Sequence, residues 1–98
     1  MTMTEKRKAF EEKLDAQLKE WNAEIALLKA RAENTKADLK VEYTTKIDIL
    51  QHKRDTAKAK LHELKSAGDE AWEDLKIGAE KAWAEVNDAF HDATAKFK

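Results

Sequence analysis

Three histidines and twenty carboxylates are the side chains of this 98-residue chain that could bind a metal or move a proton. His52 has Asp48 and Asp55 at helical spacing, and His91 has Asp88. A metal site needs three or four ligands converging on one point. No pair of Glu-x-x-His segments supplies the carboxylate–imidazole set of a di-iron bundle. The histidines, His62 included, therefore read as solvent-facing, and neither a metal nor a cofactor is expected. The carboxylates read as members of surface ion pairs, with Asp15–Lys19, Glu42–Lys46 and Asp92–Lys96 at the i,i+4 spacing that adds a few tenths of a kcal/mol on a helix. A glycine-rich phosphate loop and a nucleophile elbow are both missing, so no catalytic site is expected. Cysteine is absent, which removes thiolate and disulfide chemistry.

The elements that would carry any function must be helices. Proline is absent and there are two glycines, Gly68 and Gly78, so the turn residues of a β-rich protein are missing. Charged residues make up 40% of the chain and the hydrophobic set 42%, much of it alanine. That balance belongs to long helices and coiled coils. The N-terminal residues lack an apolar stretch of the secretory type, and no run approaches a membrane span, so a cytoplasmic location is expected. Residues 1–65 carry fifteen basic and twelve acidic side chains, net +3, while residues 66–98 carry four and eight, net −4. Mixed charge of this kind does not form the clustered basic patch that nucleic acid selects. The acidic tail disfavours anionic lipid. The opposite signs favour contact between the two segments.

The strongest signal is an apolar stripe. From Phe10 it runs through Leu14, Leu18, Trp21, Ile25, Leu28 and Ala32 in steps of three and four, close to heptad spacing. Beyond Leu28 the period lengthens to eleven. Leu28, Leu39, Leu50, Leu61, Trp72 and Trp83 form one such series, and Leu64, Leu75, Val86 and Phe97 another. A third runs Phe10, Trp21, Ala32 and Tyr43. Ile47 and Phe90 fall on the same face. A lone amphipathic helix cannot bury such a stripe, and each large side chain left wet forgoes about 1.5–3 kcal/mol. The fold class that follows is all-α, with long amphipathic helices in a coiled coil, a helical hairpin or a bundle.

Two breaks divide the stripe. Lys65-Ser66-Ala67-Gly68-Asp69 is the clearer one: Gly68 suits the left-handed position after a helix end, and Ser66 or Asp69 suits a helix start. Asp69, Glu70, Glu73 and Asp74 then sit where the helix dipole favours negative charge. This predicts a helix over about 4–65 and a second over about 69–97, in a single structural unit. An uninterrupted helix tolerating Gly68 is the alternative. A turn within 33–36, at Asn34-Thr35, is the candidate break in the first segment, although it lacks glycine and proline. The tail also repeats itself: Glu70-Ala71-Trp72-Glu73-Asp74-Leu75 is echoed by Lys81-Ala82-Trp83-Ala84-Glu85-Val86 and, more loosely, by Asp92 to Phe97.

The stretches Leu18-Lys19-Glu20-Trp21, Ala71-Trp72-Glu73-Asp74-Leu75-Lys76 and Lys81-Ala82-Trp83 resemble a family of small bacterial coiled-coil proteins associated with stress response. The resemblance covers most of the chain and implies a non-enzymatic role, with no catalytic residues to carry over. The expected function is that of a coiled-coil interaction or scaffold protein. It would associate with itself through Leu14, Leu18, Trp21, Ile25, Leu28, Leu39, Tyr43, Ile47, Leu50, Leu61, Leu64, Trp72, Leu75, Trp83, Val86, Phe90 and Phe97. The alternative is an amphipathic-helix protein that binds a lipid or granule surface, with Trp72, Trp83, Phe90 and Phe97 as the inserted face. Another helical protein is the remaining kind of partner; nucleic acid is not one.

Overall fold

A computed structural model describes residues 2–96 and shows an all-α protein. The described residues form three helices, α1 (Met3–Glu33), α2 (Ala37–Ser66) and α3 (Asp69–Lys96). They lie side by side as an up-down-up bundle measuring 52 × 18 × 18 Å. A 31-residue helix is about 46 Å long, so α1 spans most of the long dimension.

Each helix begins and ends for a local reason. Thr2 takes extended backbone angles and its hydroxyl accepts from the Glu5 amide at 3.1 Å, capping α1. At the other end the amides of Asn34 and Thr35 donate to the carbonyls of Arg31 and Ala32, and the Asn34 side-chain amide donates to Ala30. Three terminal carbonyls are thereby satisfied without a left-handed residue, since no described residue has positive φ. The segment 4–65 is therefore two helices, folded back on each other at 34–36, within the candidate break at 33–36. The turn was hard to read because its hydrogen bonds come from asparagine and backbone, and none of its angles demands glycine.

The second turn also departs from expectation. Gly68 is not in a left-handed conformation. It serves instead as the start of α3, its carbonyl accepting from the amides of Ala71 and Trp72 at 3.1 and 3.0 Å. Ser66 does not cap α3 either; its hydroxyl turns back to the His62 carbonyl at 3.1 Å.

The buried stripe of each helix faces the bundle axis. α1 contributes Leu14, Trp21, Ile25, Leu28 and Ala32, and α2 contributes Ile47, Leu50, Ala57, Leu61 and Leu64. α3 contributes Trp72, Trp83, Val86 and Phe90 together with Ala79, Ala82 and Ala93. The buried face of α3 thus interleaves large aromatic with small residues. The parallel helices α1 and α3 meet through aromatic rungs. The Phe10 and Trp72 rings pack edge to face with centroids 5.6 Å apart, and Trp21 and Trp83 are tilted at 4.9 Å. Both rungs join residues 62 positions apart, so the eleven-residue spacing of Phe10 and Trp21 matches that of Trp72 and Trp83.

Gly78 lies inside α3 with ordinary helical geometry, and a Cβ there would meet nothing within 4 Å. Gly78→Ala should raise stability by about 0.5–1 kcal/mol, because alanine restricts the unfolded chain at no native cost. A thermal melt that fails to move upward would show that the glycine is needed for packing.

Candidate functional site

The stripe expected to drive self-association is occupied inside one chain. Twelve of its seventeen members are buried: Leu14, Trp21, Ile25, Leu28, Ile47, Leu50, Leu61, Leu64, Trp72, Trp83, Val86 and Phe90. Leu18, Tyr43 and Leu75 are half-buried against them. Leu39 stands apart at 40% exposure: it lies in the first turn of α2, at the end of the bundle, and the fully buried core of that helix begins at Ile47. Phe97 lies outside the described residues. The stripe therefore cannot serve as an outer surface while the bundle is closed.

Polar side chains tie the helix ends together. Arg7 of α1 donates to the Asp69 carboxylate at 2.8 Å, to the Ala67 carbonyl at 2.9 Å and to the Leu64 carbonyl at 3.4 Å. It thus joins the start of α1, the end of α2 and the start of α3. Its guanidinium also stands 5.7 Å from the Trp72 ring centroid. Beside it, the Trp72 indole donates to Glu11 at 3.1 Å, and the Lys76 ammonium lies 5.1 Å from the Phe10 ring centroid. Farther along, Lys65 bonds Asp15 at 2.8 Å and Arg54 donates to Asn22 at 3.0 Å, both between α2 and α1. Asp15 thus pairs across the bundle, with Lys65 rather than with Lys19. All of these cross-helix partners were missed in the sequence, where Arg7 and Asp69 are simply two charges among many.

The indoles of Trp72 and Trp83 differ in one respect. Trp83 Nε1 is buried and finds no acceptor among the described residues, whereas Trp72 Nε1 has Glu11. Replacement by phenylalanine removes the same indole portion at each site. At position 72 it also loses a charge-assisted hydrogen bond, while at 83 it relieves an unsatisfied donor, a difference of about 1–3 kcal/mol. Trp72→Phe should therefore be the more destabilising in urea melts; equal midpoints would show that the Trp83 N–H is satisfied in solution.

His52, His62 and His91 are all exposed. Among the described residues no group of three or more His, Cys, Asp or Glu converges on a metal position. No helix of the described residues is long and apolar enough to cross a membrane.

What the bundle leaves outside is more distinctive. Leu27, Val41, Ile49 and Ile77 are exposed large apolar side chains, in addition to Leu39. Ile49 belongs to an open groove of about 270 Å³ between α2 and α3. Lys46 and Lys53 flank it on the α2 side, while Glu85, Asp88, Ala89 and Asp92 form the α3 side. Among the described residues, none of these lysines lies within 4.0 Å of a carboxylate on the opposite wall. The groove was not singled out in the sequence because Ile49 falls off the main stripe. The signal present was an isoleucine off the stripe with lysines three residues before and four after it.

Fold and surface together define a three-helix bundle with a closed aromatic core and open, charge-lined grooves between its helices, the α2–α3 groove among them. Comparison of the chain with family models, curated proteins and solved structures gives no match.

Proposed function

We propose that this protein is a non-enzymatic helical interaction protein of the cytoplasm that associates with copies of itself, in a stress-related role. The observation that supports self-association is the apolar surface left over once the core is complete: Leu27, Leu39, Val41, Ile49 and Ile77 remain exposed. Single exposed apolar residues are common on any protein, so it is their combination with a groove of two opposed charges that favours a protein partner. The surface, and not the eleven-residue stripe, is what such a partner would meet. The stress-related part of the reading rests on the resemblance of the Leu18–Trp21 and Ala71–Lys76 stretches.

Sedimentation velocity over a roughly hundredfold range of protein concentration tests the reading. A discrete species heavier than one chain supports it. A monomer throughout rejects it.

A lipid- or granule-surface role is the second reading. It is favoured by the stripe on all three helices, joined by two turns short enough to act as hinges. The bundle would have to open, exposing Trp72, Trp83 and Phe90. Because all three tryptophans are already buried, a blue shift of their emission is a poor readout. Opening should instead abolish the near-UV circular dichroism of the packed indoles while far-UV helicity persists. Neutral vesicles that leave the near-UV signal intact would exclude this reading.

A further inference from the structure

We infer that the α2–α3 groove is the docking site for a second copy of this chain, related by a twofold axis parallel to the helices. The inference rests on the self-associating reading above and specifies its surface.

Because α2 and α3 run antiparallel, Lys46, Ile49 and Lys53 descend one wall as Asp92, Ala89 and Glu85 descend the other. Lys46 is thus at the Asp92 end of the groove and Lys53 at the Glu85 end, with Ile49 and Ala89 between. The walls carry opposite charge but do not close ion pairs within 4.0 Å across their own groove, among the described residues.

A twofold axis lying in the interface and parallel to the helices exchanges left and right but leaves height unchanged. It lays α2 of the second copy over α3 of the first, antiparallel to it. The second copy's basic wall then meets the first copy's acidic wall, Lys46 at the Asp92 end and Lys53 at the Glu85 end. Ile49, 44% exposed, is set over Ala89, where a small side chain leaves room for it. The reciprocal contacts form at the same time, as an isologous interface requires. A dyad perpendicular to the helices in the same plane would instead lay basic wall on basic wall. The charge pattern therefore selects both the partner and its direction.

The face is also large enough. Taking the bundle width of 18 Å over about 40 Å of paired helix gives roughly 700 Å² for each copy, close to the ~800 Å² per partner of a standard interface.

Sedimentation velocity on three variants and their mixtures tests the inference, with circular dichroism confirming helicity. In the first, Lys46→Glu and Lys53→Glu make both walls acidic. In the second, Glu85→Lys and Asp92→Lys turn the α3 wall from acidic to net basic, Asp88 being retained; these two positions are exposed, so the fold is not at risk. Each should weaken the dimer by at least about tenfold, since like charges set face to face repel. An equimolar mixture of the two should restore a heterodimer. The third variant, carrying all four reversals, should dimerise like the wild type. Reversals that leave a wild-type dimer unchanged, or a mixture that stays monomeric, overturn this interface while self-association stands. A wild-type monomer at every concentration overturns both.

Discussion

Trp83→Asp should leave the chain unfolded at 25 °C, at every protein concentration. Trp83 is 5% exposed and lies against Trp21, which also stacks on Phe90 at 6.1 Å. Truncating a buried tryptophan costs about 3–5 kcal/mol. Burying a carboxylate with no cation beside it adds several more, unless the aspartate is driven to protonate. A domain of this length sits toward the lower end of the usual ~5–15 kcal/mol of total stability. Far-UV circular dichroism should therefore show loss of helix, and dilution should not change the result. Retained helicity with a melting midpoint near the wild type would place Trp83 outside the core. A purely intermolecular coiled coil predicts otherwise: its Trp83→Asp variant recovers helix as concentration rises. The same substitution thus separates a core closed within one chain from a seam closed between chains.

Arg7→Met should cost about 1–3 kcal/mol, although it removes only one charge near a helix end. The methionine keeps most of the aliphatic stem, so packing loss is small. What disappears is the donor to the Ala67 carbonyl at 2.9 Å and a second, longer donor to the Leu64 carbonyl, which also accepts from the Ala67 amide at 3.2 Å. The Arg7 side chain is only 16% exposed, so water replaces these bonds incompletely. Asp69→Asn provides the contrast. The Asp69 side chain is 68% exposed, and an exposed ion pair contributes less than about 1 kcal/mol. If the carbonyl contacts dominate, Arg7→Met lowers the urea midpoint clearly, Asp69→Asn hardly moves it, and added salt has little effect on the wild type. Equal losses in the two variants, both removed by salt, would assign the effect to the ion pair instead.

These two sites also mark what could be read from the chain and what could not. The spacing of Leu14, Trp21, Ile25 and Leu28 places them on one helical face, because a helix repeats every 3.6 residues and only its sequence sets that face. The helical class, the apolar stripe and the break near 66–69 follow from such local rules. Local rules end where the covering surface must be named. Period alone leaves open whether the stripe packs against another chain, a lipid surface or the same chain. The turn at 34–36 decided that, and its hydrogen bonds from Asn34 and the backbone leave little trace in composition. Once the chain turns there and again at 67–68, Phe10 meets Trp72 and Arg7 reaches Asp69, contacts about 60 residues apart with no neighbourhood signature. The groove between α2 and α3 likewise exists only after both helices are side by side. Helical identity was settled by the sequence because it depends on neighbours a few positions away. The closed core, the Arg7 bonds and the charged groove belong to the tertiary structure, because they depend on which distant faces the two turns bring together.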